Sequence, residues 1–194
     1  MKDHISSCFS HIFHNGGIGI STDPFISTLT MSLEADQNFI FPPDFHVTLS
    51  FFGGNPSLMS SCPLLQSGAF IEDNVYNSIT IRAFIIVPNK IMCALVTLDG
   101  DDRQIYSSNE FPHITLMRGD WKPVMSNQIL KALFNDKYGL KREMYRDLVA
   151  SKVQEGYIEK MCVNMQKEGD VECYLVVPKE KITIEAYMKS YFAE

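Results

Sequence analysis

Two apolar runs of this chain each carry a histidine and a threonine two positions apart: FHVTLSFFGG, residues 45–54, and FPHITLMRGDW, residues 111–121. In a β-strand, successive side chains point to opposite faces of the sheet. Each run is therefore predicted to form a strand with one apolar, core-facing side. The other side would carry His46 and Thr48 in the first motif, and His113 and Thr115 in the second.

The rest of the chain predicts a mixed α+β fold with antiparallel pairing and about seven or eight strands. Alternation over residues 25–35 predicts a strand, and residues 45–52 predict the next one. Residues 78–100 predict a hairpin that turns at Val87-Pro88-Asn89-Lys90. The C-terminal residues 156–178 predict two further strands joined near residues 167–170.

Two helices are predicted between these strands. The first follows the second motif, with Ser126 or Asn127 as its N-cap. The second is a short amphipathic helix over residues 141–154. In the first helix, one apolar face is expected to hold Ile129, Leu130, Leu133 and Phe134.

Size and composition limit the possible classes of protein. A chain of 194 residues is long enough for one compact domain or for two lobes that share a core, and it predicts one folding unit, residues 1–194. A net charge of −6 excludes a protein that grips long nucleic acid through many phosphates, but it is compatible with a small nucleotide or an RNA terminus. No run of apolar residues is long enough to cross a membrane. The expectation is a soluble, cytoplasmic protein, with the nucleus left open and the oligomeric state undetermined.

The two motifs suit phosphodiester chemistry if their strands lie side by side. One imidazole takes a proton from the attacking group and the other protonates the leaving oxygen, while each threonine hydroxyl donates to a phosphate oxygen. One H-x-T motif is common by chance, but two in β context, each with a Phe upstream and a Leu after the Thr, are not. Neither motif has carboxylates or thiolates at metal-ligand spacing, and the scattered cysteines contain no C-x-x-C pair. No metal and no cofactor are expected.

The residues His46-Val47-Thr48-Leu49 and His113-Ile114-Thr115-Leu116 resemble the two H-x-T-x signatures of the 2H phosphoesterase superfamily. FHVTLSFFGG and PHITLMR resemble the motifs of bacterial RNA 2′,3′-cyclic phosphodiesterases, although the spacing between the two is shorter here. The stretch from Lys122 to Asn127 is similar to the cyclic phosphodiesterase domain of fungal-type tRNA ligases.

The resemblance implies a bilobal fold, in which two antiparallel-sheet lobes flank a central cleft and each contributes one motif. It implies a metal-independent phosphodiesterase with His46 and His113 as catalytic residues and Thr48 and Thr115 as phosphate ligands. Arg118 matches a family position and is expected to support the phosphate.

Three functions stay open on the sequence. The first is hydrolysis of a ribose 2′,3′-cyclic phosphate to a 2′-phosphate. The second is degradation of 2′-5′ oligoadenylate or cyclic oligonucleotide immune signals. The third, from another class, is a nucleotide-binding module that no longer hydrolyses a substrate. Such a module would normally have lost a histidine or threonine of the motifs, and all four are present here.

Overall fold

The computed structural model describes residues 40, 42, 45–49, 57, 60, 76–99, 107, 109–137, 158–178 and 182–187. These ranges contain six antiparallel strands, a short α-helix and a π-helical segment. The chain is therefore an α+β fold, as predicted. The predicted strand over residues 25–35 and the predicted helix over residues 141–154 lie outside the described residues.

The strands are β1 (Tyr76–Val87), β2 (Ile91–Asp99), β3 (His113–Arg118), β4 (Ile158–Met165), β5 (Gly169–Val176) and β6 (Ile182–Tyr187). They form one sheet in the order β3-β2-β1-β5-β4, with β6 also paired to β1. The two strands β5 and β6 share one edge of β1: β6 pairs with its first half and β5 with residues 84–86. Both hairpins predicted from the sequence, β1–β2 and β4–β5, are confirmed.

The helix α1 (Met125–Lys131) continues directly into the π-helical segment Ala132–Lys137. The helical residues that were expected on one face, Ile129, Leu130, Leu133 and Phe134, are all fully buried. The predicted cap is wrong. Val124 occupies the N-cap position and makes no side-chain cap bond. Ser126 lies inside the first turn, where its side chain is turned toward the sheet.

The sheet has a buried cluster on each face. The helix-side cluster contains alternate residues of β2, namely Ile91, Cys93 and Leu95, together with the buried residues of α1. The opposite cluster contains the β2 residues between them, Met92, Ala94 and Val96. Because β2 is buried on both faces, nearly all of its residues are apolar, as expected for a central strand.

The turn between β1 and β2 packs against the chain just after β3. Gly119 N–H donates to the Lys90 carbonyl at 2.8 Å, and Asp120 N–H donates to the Asn89 carbonyl at 3.2 Å. Lys90 Nζ also lies 3.0 Å from Asp120 Oδ2. These contacts hold the C-terminal end of the second motif against the first hairpin.

Among the described residues, no helix has the length and hydropathy needed to cross a membrane.

Candidate active site

The second motif forms β3, and its alternation matches the prediction. Ile114 and Leu116 are buried in the opposite cluster. His113 pairs with Leu95 and Thr115 pairs with Cys93, and both partners belong to the helix-side cluster. Since paired residues of an antiparallel ladder point to the same face, His113 and Thr115 lie on the helix side.

The first motif lies along the outer edge of β3. Val47 forms an isolated antiparallel bridge with Ile114, and Phe45 and Val47 both pack in the opposite cluster. His46 and Thr48 alternate with them and so belong to the helix side. The predicted strand over residues 45–52 is wrong within the described residues 45–49, because the pairing there is one isolated bridge.

A second isolated bridge joins the chain before the first motif to the end of β3. Ile40 pairs with Arg118 through two backbone hydrogen bonds of 2.8 and 3.0 Å. Seven residue steps separate Ile40 from Val47, but only four separate their partners Arg118 and Ile114. The two bridges to β3 are therefore out of register with each other by three residues.

Continuing the bridge register by one residue on each side would place the four motif side chains at the corners of a square. Pairing Val47 with Ile114 sets His46 opposite Thr115 and Thr48 opposite His113. Directly opposed residues have Cβ atoms about 5 Å apart, and diagonal ones about 7 Å. In this register, the two histidines would occupy one diagonal of the square and the two threonines the other.

The two histidines differ in environment. His46 is exposed, whereas only 8% of the surface of His113 is accessible to solvent. Burial lowers the pKa of His113, and the nearby His46 lowers it further, against the opposing effect of a hydrogen bond to the Phe111 carbonyl.

The tautomer of neutral His113 follows from its hydrogen bond. Nδ1 lies 2.8 Å from the Phe111 carbonyl oxygen. A carbonyl can only accept, so Nδ1 carries the hydrogen and Nε2 keeps its lone pair. In this form, Nε2 is the proton acceptor of the ring.

Arg118 reaches the same face because of an irregularity in β3. Met92 pairs with Met117 and Cys93 pairs with Thr115, so Leu116 is an extra residue, a β-bulge. In a regular strand, Arg118 would lie on the face of Ile114. The bulge shifts the alternation by one residue, and Arg118 instead pairs with Ile91 of the helix-side cluster. Its side chain is exposed.

Two further side chains, which sequence reasoning did not assign to the site, hold the motifs in place. Asn109 Nδ2 donates to the Thr48 carbonyl at 2.6 Å and so ties the first motif to the loop before the second. Ser126 Oγ lies 2.9 Å from Thr115 Oγ1. The residue preferences of helix caps predicted Ser126 or Asn127 as the N-cap, whereas the N-cap is Val124. Trp121 is buried in the helix-side cluster.

Residues 76–161 match the family described as the fungal tRNA ligase phosphodiesterase domain, in agreement with the resemblance seen in the motifs and with the predicted phosphodiesterase. His113, Thr115 and Arg118 lie inside the matched residues, whereas His46 and Thr48 precede them.

Among solved structures, the chain is similar to a fungal RNA kinase. The TM-score is 0.53 and the sequence identity is 15%, over 97% of this chain and 44% of the other. The chain thus corresponds to less than half of that protein, and the likeness supports the fold alone. No curated protein matches the sequence.

Proposed function

We propose that this protein opens a ribose 2′,3′-cyclic phosphate, on a nucleotide or at an RNA terminus, to a 2′-phosphate. The family match supports a 2′,3′-cyclic phosphodiesterase-type activity. The observation that carries the finer proposal is the square of two histidines and two threonines that the Val47–Ile114 bridge implies. A cyclic phosphate needs the four groups that this square supplies: a base, an acid and two donors to the phosphate oxygens.

In this mechanism, His113 is the general base. Its burial favours the neutral ring, and the Nδ1 contact with Phe111 leaves Nε2 available to take a proton from water. The water oxygen bonds to phosphorus, and the bond from phosphorus to the 3′ oxygen breaks. His46 is then the general acid, which gives its proton to that oxygen. The product retains the phosphate on the 2′ oxygen.

The phosphate is held by hydroxyl and guanidinium donors. Thr48 and Thr115 donate to its non-bridging oxygens, where charge grows as water attacks. Arg118, placed on the helix side by the bulge at Leu116, supplies the compensating positive charge. No metal takes part in these steps. Because the net charge of the chain is −6, the proposed substrate is a small nucleotide or a single RNA end.

The proposed architecture extends to residues outside the described ranges. Residues 1–194 are proposed to form a single unit in which a second lobe closes the other side of the cleft. The outer edge of β3, where both Ile40 and Val47 bridge, is where the two lobes would meet.

A substrate panel tests the proposed function. The purified protein is incubated with 2′,3′-cyclic nucleotides, RNA with a cyclic phosphate end, 2′-5′ oligoadenylate and cyclic dinucleotides, and the products are separated by chromatography. The expected result is fastest turnover of a 2′,3′-cyclic phosphate, with a 2′-phosphate as the product. Preference for 2′-5′ oligoadenylate or a cyclic dinucleotide would replace the proposal with the signal-degrading activity. Binding without turnover of any member would instead favour the binding module.

The pH dependence of kcat/KM should be bell-shaped, because one histidine must be neutral and the other protonated. Burial lowers the pKa of His113 below the ordinary value of 6.5. A base must lose its proton to act, so the rate rises with pH through that pKa, and the acidic limb is expected below 6.5. A rate that does not change between about pH 5 and 9 would contradict histidine acid–base catalysis.

Activity should survive removal of divalent ions. All of the proposed groups are organic side chains, and among the described residues no cluster of three or more His, Cys, Asp or Glu side chains is placed to bind a metal. The measurement is the initial rate with and without EDTA, using a known metal-dependent phosphodiesterase as the positive control. Loss of activity that a divalent ion restores would contradict the mechanism.

A further inference from the structure

The hydroxyl of Thr115 makes a hydrogen bond with a buried residue of α1. Ser126 is fully buried, and its Oγ lies 2.9 Å from Thr115 Oγ1. Thr115 itself is half-buried. Each hydroxyl carries one hydrogen, so the direction of this bond decides whether Thr115 has a hydrogen left to donate elsewhere.

A third polar atom completes the contact. Cys93 pairs with Thr115 across β2 and β3, is fully buried and lies close enough to Ser126 for the two side chains to interact. Burial is the largest of the effects that raise the pKa of Cys93 to about 12, so the thiol keeps its hydrogen at neutral pH. If Cys93 and Ser126 share a hydrogen bond, then Cys93, Ser126 and Thr115 form a hydrogen-bonded chain that runs from the core toward the face carrying the histidines.

The chemistry of the chain favours one direction. Sulfur is a weak acceptor, and oxygen is a better one. If Cys93 S–H donates to Ser126 Oγ, then Ser126 O–H is free to donate to Thr115 Oγ1, and the hydrogen of Thr115 points outward. The reverse direction would end on sulfur and leave Thr115 without a hydrogen for a ligand. A substrate phosphate on the face that carries the histidines would also favour an outward-pointing hydrogen on Thr115, because that hydrogen can donate to the phosphate.

We propose that Ser126 is a positioning residue which, with Cys93 behind it, directs the Thr115 hydroxyl hydrogen toward the phosphate of the substrate. The inference rests on the proposed function, in which Thr115 binds that phosphate. It assigns Ser126 and Cys93 a role through Thr115, without contact with the substrate.

A double-mutant cycle on the full-length protein tests this role, with a 2′,3′-cyclic nucleotide as the substrate. Ser126→Ala should lower kcat/KM by about tenfold, the order expected when support for one hydrogen bond to a charged group is lost. In a Thr115→Val background, which has no hydroxyl to direct, Ser126→Ala should cause no further loss. An equal loss in both backgrounds would show a structural role for Ser126 and overturn the inference.

Variants of the cysteine supply a second test that does not depend on the folding of Ser126→Ala. Cys93→Ala should lower kcat/KM by several-fold, since it removes the terminal donor, and Cys93→Ser should restore most of the rate because it keeps one. Cys173→Ala is the matched control, because Cys173 is also fully buried in the helix-side cluster. Equal losses in Cys93→Ala and Cys173→Ala would reflect a cavity in the core and would contradict the inference.

The outcomes separate the two proposals. A wild-type protein that turns over the cyclic nucleotide, with Ser126→Ala and Cys93→Ala at the wild-type rate, overturns the positioning role alone. A folded wild-type protein that turns over no member of the substrate panel overturns the proposed function, and the positioning role with it.

Discussion

Replacing His113 or His46 by alanine should lower kcat by about 10² to 10⁴, with a much smaller change in substrate binding. In the proposed mechanism, each imidazole moves a proton in the transition state, whereas the phosphate in the ground state is also held by Thr48, Thr115 and Arg118. Steady-state kinetics and equilibrium binding of a non-hydrolysable nucleotide measure the two effects separately. Loss of either threonine should cost less, since other donors to the phosphate remain.

The double variant His46→Ala, His113→Ala should be little slower than the poorer single variant, because the two residues act in one concerted step. His113→Asn serves as a structural control. Its amide nitrogen takes the place of Nδ1 and can still donate to the Phe111 carbonyl that His113 contacts at 2.8 Å, but the side chain cannot act as a base. A His113→Asn protein with near wild-type turnover would show that His113 has a structural role.

Gly119→Ala should cost about 3 kcal/mol of the free energy of unfolding. A Cβ at Gly119 would lie 2.2 Å from the carbonyl oxygen of Asn89. That oxygen belongs to the backbone of the β1–β2 turn and accepts a hydrogen bond from Asp120, so it cannot move aside without breaking the turn's contact with the second motif. Denaturant unfolding measures the loss, and a destabilisation of this size should lower the Tm by about 6–12 °C.

Gly169→Ala is the matched control for this experiment. Gly169 has a φ of +73°, but a Cβ there would meet nothing within 4 Å. The alanine variant therefore has only the left-handed backbone to oppose it, a cost of about 1 kcal/mol. Equal destabilisation by the two variants would contradict a steric requirement for glycine at position 119.

The sequence predicted the parts of this fold that depend on local patterns. The hairpin β1–β2 followed from two β-rich runs on either side of Pro88-Asn89, and Asn89 has the positive φ of 61° that such turns favour. The faces of His113 and Thr115 followed from the two-residue period of β3. Both depend on neighbours in the chain, so no tertiary information was needed.

Other features depended on contacts distant in sequence. The predicted strand over residues 45–52 ignored the constraint that Ile40 and Val47 bridge β3 in different registers. The local pattern predicted Ser126 or Asn127 as a helix cap. The observed contact of Ser126 is with Thr115, eleven residues earlier, and a local pattern cannot show a contact at that separation. The bulge at Leu116 did leave a signal. His113 and Arg118 are an odd number of residues apart, so they can share one face of a strand only if the ladder contains an extra residue.

We propose that the motifs of His46 and His113 together form one site that opens a 2′,3′-cyclic phosphate. The most direct measurement is ³¹P NMR of a 2′,3′-cyclic nucleotide incubated with the wild-type protein and, in parallel, with folded His46→Ala and His113→Ala variants. With the wild-type protein, the cyclic phosphate signal should be replaced by a 2′-monophosphate signal. With either variant, the cyclic phosphate signal should persist. Conversion at the same rate by either variant, or an unchanged signal with the wild-type protein, would contradict the proposal.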